Sequence, residues 1–215
     1  MQPAIVTVVF RAGLLLLYPK RATVLDCRTG RKDGTACLDS ELPLCEALGE
    51  AYVVNDGMNQ LVLEHLDPRA WRAKAPGKGA RPIVAIVTHM HNIRRKWIRL
   101  SAPHIKLPAE LDRARCTQKQ AQVALADSAR KCAEMIREGL AGQESRVPKF
   151  HRDGWARRWP AGAGMFTYMV VHDAHHRGQV CMLAHQLGYK LPMKVNYGMW
   201  GWEKLWKECG FSGPR

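Results

Sequence analysis

No stretch of this 215-residue chain stays apolar long enough to cross a bilayer, which takes about 18–20 residues. That excludes a polytopic membrane protein. Cysteine pairs of the CxxC type are missing, and the seven cysteines lie far apart, so zinc knuckles and thioredoxin-like redox motifs are excluded. Acidic residues are scarce: 19 Asp and Glu face 33 Lys and Arg, a formal net charge of +14. Basic charge favours anions of many kinds. No helix-turn-helix, zinc-finger or RNP signature accompanies it, and the basic residues are spread out rather than clustered with aromatics, which disfavours nucleic acid as the partner. Period-2 alternation is absent after residue 40, as are internal repeats and low-complexity tracts. With 47% hydrophobic and 24% charged residues, the composition is that of an ordinary globular chain with enough apolar material for one sizeable core.

Residues 1–41 differ from the rest of the chain. Met1–Tyr18 is an apolar run interrupted by Arg11, and Lys20 and Arg21 come after it. A secretory signal places its positive charges before the apolar run and ends in a small-residue cleavage site. The segment therefore reads as a poorly structured N-terminal extension, a loose segment or a short strand or helix, and the chain as a resident of the reducing cytoplasm. Cys132 and Cys181 lie in apolar helical patterns and read as core residues.

From residue 42 onward the apolar spacing is helical. Leu44, Leu48, Tyr52, Met58, Val62 and Leu66 recur near a 3.6 period over 44–66, with Gly49 and Gly57 as weak points. Pro82 opens a second helix running to about Leu100, with Ile83, Ile86, Met90, Ile93, Trp97 and Leu100 on its core stripe. Thr117 and Gln120 form a capping-box pattern for a third helix ending near Leu140. A long loop over 141–162 is followed by a fourth helix over about 163–187, stopped by Gly188 and Pro192. The stretch Tyr197–Cys209, with Trp200, Trp202 and Trp206, suits one short amphipathic helix whose tryptophans pack on the core. The expected fold is all-α: a four-helix bundle over 42–215 with a short C-terminal helix.

Histidines concentrate on two of these helices. His172 and His176 are four residues apart, so they share one face of the fourth helix with Met165, Met169, Gln179 and Leu183. Two imidazoles so spaced can grip one divalent ion. His89 lies on the second helix's apolar stripe and supplies a third ring. His91, about 200° further round, shares its side with Val84, Thr88 and Arg95 and is the rival ligand. His175 and His185 fall off the paired face. Arg94 and Arg177 are candidate clamps for an anion or, alternatively, solvated surface charges. Asn59, Asp173 and Gln179 are candidates for orienting the imidazoles. Gly178 is placed to allow a close helix approach.

The segments THMHNIRRKWIRL and, about eighty residues on, HDAHHRGQVCMLAHQLGYKLP resemble the DinB/YfiT-like superfamily over about residues 42–210. These proteins are distinct from the DNA polymerase that shares the DinB name. The resemblance implies a four-helix bundle, often a homodimer, with a divalent metal, zinc or nickel, on a triad that falls here on His89, His172 and His176. It also implies a metal-dependent transferase for a small thiol. A non-catalytic metal-binding stress-response protein stays open beside it. Three neutral ligands leave a coordination position free, so a thiol or a water activated there would serve transfer or hydrolysis. The Lys and Arg excess suits a small anionic thiol or another small-molecule substrate.

Overall fold

The computed structural model describes residues 5–9, 15–19, 43–141 and 162–211. The chain divides into two units, Met1–Ser40 and Glu41–Arg215. In the first, strand β1 (Ile5–Val9) pairs antiparallel with β2 (Leu15–Pro19), Ile5 opposite Pro19 and Val9 opposite Leu15. Part of the apolar N-terminal run thus forms two paired strands within the segment expected to be a loose extension or a short strand or helix. The turn-rich stretch 26–40 and most of the loop over 141–162 lie outside the described residues.

The second unit is a bundle of four long helices: α1 (Leu44–His65), α2 (Ile83–Ser101), α3 (Gln118–Ala141) and α4 (Gly162–Gln186). Two short helices follow, α5 (Met193–Gly198) and α6 (Trp202–Glu208). The single C-terminal helix expected from the tryptophan spacing is therefore two, separated at Met199–Gly201, where Gly201 leaves helical geometry. The local signals act as expected. Thr117 and Gln120 cap α3 reciprocally: the Gln120 N–H donates to Thr117 Oγ1 at 3.2 Å, and the Thr117 N–H donates to Gln120 Oε1 at 2.9 Å. Helix α4 ends in a Schellman motif. Gly188 takes φ +82°, its N–H donates to the His185 carbonyl, and the Tyr189 N–H donates to the Ala184 carbonyl. Gly188→Ala forces an L-residue into this left-handed conformation and should lower stability by about 1–2 kcal/mol, measured by chemical denaturation.

Helices α1 and α2 each pack against both α3 and α4, so helices consecutive in sequence are not neighbours throughout. Two large apolar clusters fill the interior, beside a small third one of Val54, Met58 and Leu205. One gathers Val62, Leu63, Ile86, Met90, Leu125 and Val180; the other gathers Tyr52, Trp97, Ile98, Met135, Ile136 and Met169. Between them every long helix contributes polar side chains: Asn55, Asp56 and Asn59 from α1, Arg94 from α2, Ser128 from α3, and Asp173 and His176 from α4, all buried. A polar stratum thus divides the core, and the candidate site lies in it.

At the C-terminal end Trp206 is tied down, its indole N–H donating to Glu50 Oε2 at 3.0 Å. Trp200 is 82% exposed and Trp202 40%, so the core packing expected of all three tryptophans holds for Trp206 but not for these two. Cys132 is buried and burial pushes its thiol up to about 12. Cys181 is only partly buried and packs at the edge of the first cluster. Among the described residues all cysteines are free, and no helix is long and apolar enough to cross a membrane.

Candidate metal centre

Helices α2 and α4 bring three imidazoles together. The ring centroids of His172 and His176 lie 4.5 Å apart, those of His89 and His176 4.8 Å, and those of His89 and His172 5.6 Å. One nitrogen from each ring falls within 4.8 Å of the others. Nitrogens around a tetrahedral zinc stand about 2.0–2.1 Å from the ion and hence ~3.4 Å from one another. Small side-chain rotations close that gap. His176 is buried, while His89 and His172 are half-buried and retain a path to solvent.

The remaining ring nitrogens fit a metal-binding role. His176 Nδ1–H donates to Gln179 Oε1 at 2.8 Å, which leaves its Nε2 lone pair free. The Gln179 amide N–H donates in turn to His175 Nε2 at 3.0 Å. Burial first, and then the neighbouring imidazoles, push the His176 pKa down to about 4 against the pull of Gln179. It is thus neutral at physiological pH, the form a cation needs. His172 Nδ1 lies 3.6 Å from Asp173 Oδ1, and both atoms are buried without a hydrogen bond. A carboxylate aimed at the back of a ring whose other nitrogen joins the triad is the arrangement that orients a metal-ligating histidine. Trp97 packs edge-on against His172, centroids 5.1 Å apart, and closes the inner wall. Gln179→Leu keeps the volume and removes the acceptor. It should weaken metal binding about 10–100-fold in a chelator competition without unfolding the chain.

Beneath the rings lies an ion-pair network. Arg94 is fully buried and donates to Asp173 Oδ2 at 2.6 Å, to Asp56 Oδ1 at 2.8 Å and to the Leu125 carbonyl at 2.9 Å. Asn55 Nδ2 adds a bond to Asp173 Oδ2 at 3.1 Å. Arg177 Nη1 donates to Asn55 Oδ1 at 3.1 Å and to Asn59 Oδ1 at 3.0 Å. Burial pushes the Asp173 carboxyl up, but Arg94 and His172 outweigh it and hold the group at about 2. The two cations and two carboxylates balance, so the network adds no net charge beside the imidazoles.

Several sequence-derived roles change here. Arg94 is neither a substrate clamp nor a surface charge; it is the structural cation of the polar stratum. Arg177 is committed to Asn55 and Asn59 rather than to an anion. Asn59 touches Asp56 and Arg177 but no triad ring, whereas Asp173 and Gln179 each face one. His91 is buried away from the triad, with Nδ1 3.1 Å from Ser128 Oγ and Nε2 2.8 Å from the Ala109 carbonyl, both ring nitrogens engaged. A single core stripe on α2 would leave His91 outside the interior, but α2 is buried on most of its circumference. Gly178 meets no neighbour within 4 Å and faces open space, so it serves no helix approach. His175 is exposed; it packs edge-on against His176, ring centroids 5.0 Å apart, and accepts from Gln179.

A helical bundle carrying three convergent histidines on two of its helices defines a class of candidate metalloprotein. The family model of the DinB family matches residues 48–202, and the chain belongs to that family. No curated protein matches it.

Proposed function

We propose that the chain holds a divalent cation, zinc or nickel, on His89, His172 and His176 and uses it to transfer a small anionic thiol to an electrophilic carbon. The observation that carries this reading is the convergence of three imidazole nitrogens within 4.8 Å of one another. No carboxylate belongs to the triad, so a bound ion keeps its full charge, and three protein ligands leave a position open. Such an ion acidifies a thiol or water held beside it, which supplies a nucleophile at neutral pH. The chain's own residues do the rest. Gln179 fixes the tautomer of His176, Asp173 faces His172 Nδ1, and Trp97 screens the inner side from water. In the transfer, the sulfur–carbon bond forms as the carbon's leaving group departs, and the thiol proton passes to solvent. The free described cysteines support a reducing, cytoplasmic setting.

Elemental analysis of the purified chain tests the first half: one divalent ion per chain is expected. A panel of small thiols with an alkylating electrophile tests the second. Conjugation should stop with chelator and return with metal. Metal without conjugation across the panel rejects the transferase and leaves a binding protein.

A further inference from the structure

Two clefts reach groups of the site, one through His89 and the other through Gln179. One, of about 570 Å³, opens beside His89 and is also lined by Thr88, Asn92 and the segment Glu110–Arg113. The other, of about 430 Å³, reaches Gln179, the partner of His176, and has an apolar wall of Ala75, Ile86, Met182 and Leu183. Arg81 lines both. A further cleft of about 640 Å³ on the outer side of α3 touches neither the three histidines nor Gln179.

The charges of the His89 cleft are unequally committed. Glu110 pairs with Arg95 at 3.2 Å. Asp112 accepts the Ala114 N–H at 2.8 Å and lies 3.8 Å from Arg115. Arg81 and Arg113, by contrast, make no side-chain hydrogen bond or ion pair with any described residue. Arg113 offers only its carbonyl, to Arg72. The cleft therefore presents two unspent guanidiniums, groups whose planar donors match a carboxylate. Met182 is 59% exposed over the neighbouring cleft, an apolar surface without a partner beside the same histidine cluster.

We propose that the substrate of this site is amphipathic, with a terminal carboxylate gripped by Arg81 and Arg113 and an apolar body lying against Met182 and Leu183. The inference rests on the triad's being a metal centre, because one cleft is lined by His89 and the other by Gln179, the partner of His176. It replaces Arg94 and Arg177 as anion clamps by two residues that have charge to spare.

The test uses the full chain loaded with cobalt and two probes of equal length, 6-mercaptohexanoate and 6-mercapto-1-hexanol. Binding is followed by the sulfur-to-cobalt charge-transfer absorption. The carboxylate probe should bind about tenfold more tightly than the alcohol, the gain expected of one charge-assisted bidentate contact. In the double variant Arg81→Gln/Arg113→Gln that preference should vanish, with cobalt content and alcohol affinity unchanged. Equal affinities in the unaltered chain overturn the proposal, and so does a preference that survives both substitutions, since the carboxylate would then be held elsewhere. A chain that takes up no cobalt shows no band with either probe, which refutes the metal centre itself and is distinguishable from both outcomes.

Discussion

A His172→Ala chain is expected to bind divalent metal at least ~100-fold more weakly than the unaltered protein, since changes one shell further out already cost 10–100-fold. His172 is central to the constellation: its ring lies 4.5 Å from His176 and 5.6 Å from His89, and its far nitrogen faces Asp173. Removing it leaves two ligands and strands the Asp173 oxygen. Competition against a chromophoric chelator, with circular dichroism as a fold control, measures the effect. His91→Ala serves as the contrast, because His91 spends both nitrogens on Ser128 and Ala109. It should lose stability while keeping metal affinity within a few-fold. If the two variants lose metal equally, the assignment of the triad fails.

Arg94→Met should be the most destabilising single substitution in the polar stratum, by about 3–5 kcal/mol, the usual cost of deleting one member of a buried charge pair. Two carboxylates, Asp56 and Asp173, would be left buried without their cation. Denaturant titration reads the loss directly, and its pH dependence identifies the cause. In the unaltered chain Asp173 is held at about 2 against an ordinary 3.8. The folded state thus binds fewer protons than the unfolded one over that interval. Its stabilisation is complete above pH 3.8 and drains away as the pH falls through about 2. Without Arg94, burial acts unopposed by the guanidinium and raises the carboxyl, so acid should stabilise the variant relative to neutral pH, reversing the sign of the slope. Arg94→Met/Asp173→Asn, which removes charge on both sides, should recover part of the loss.

The helices were legible because their signals are local. Thr117 with Gln120, Pro82, and Gly188 with Pro192 each act through bonds or backbone angles within a few residues, and α2 and α3 start, and α4 stops, within a residue or two of them. The facing of His172 and His176 was legible for the same reason, since an i, i+4 pair on an apolar face has one inward direction. What escaped was long-range. Arg94 finds its acids on α1 and α4, 38 and 79 residues away, and nothing in the spacing of charges announces such pairing. His91 escaped because a single apolar stripe presumes a solvent side opposite, and α2 has little of one. The break between α5 and α6 escaped because the tryptophan spacing reads continuously through Gly198 and Gly201.

The polar stratum has a mechanical consequence. Apolar helix faces tolerate sliding, since one aliphatic side chain replaces another with little loss. A slip of one turn, about 5.4 Å, along α2 would carry Arg94 away from both carboxylates and into hydrocarbon. The charges therefore work as a detent that locks the stagger of α1, α2 and α4. Because His89 and the His172–His176 pair ride on two of those rods, the same detent sets the gauge of the opening between the three rings.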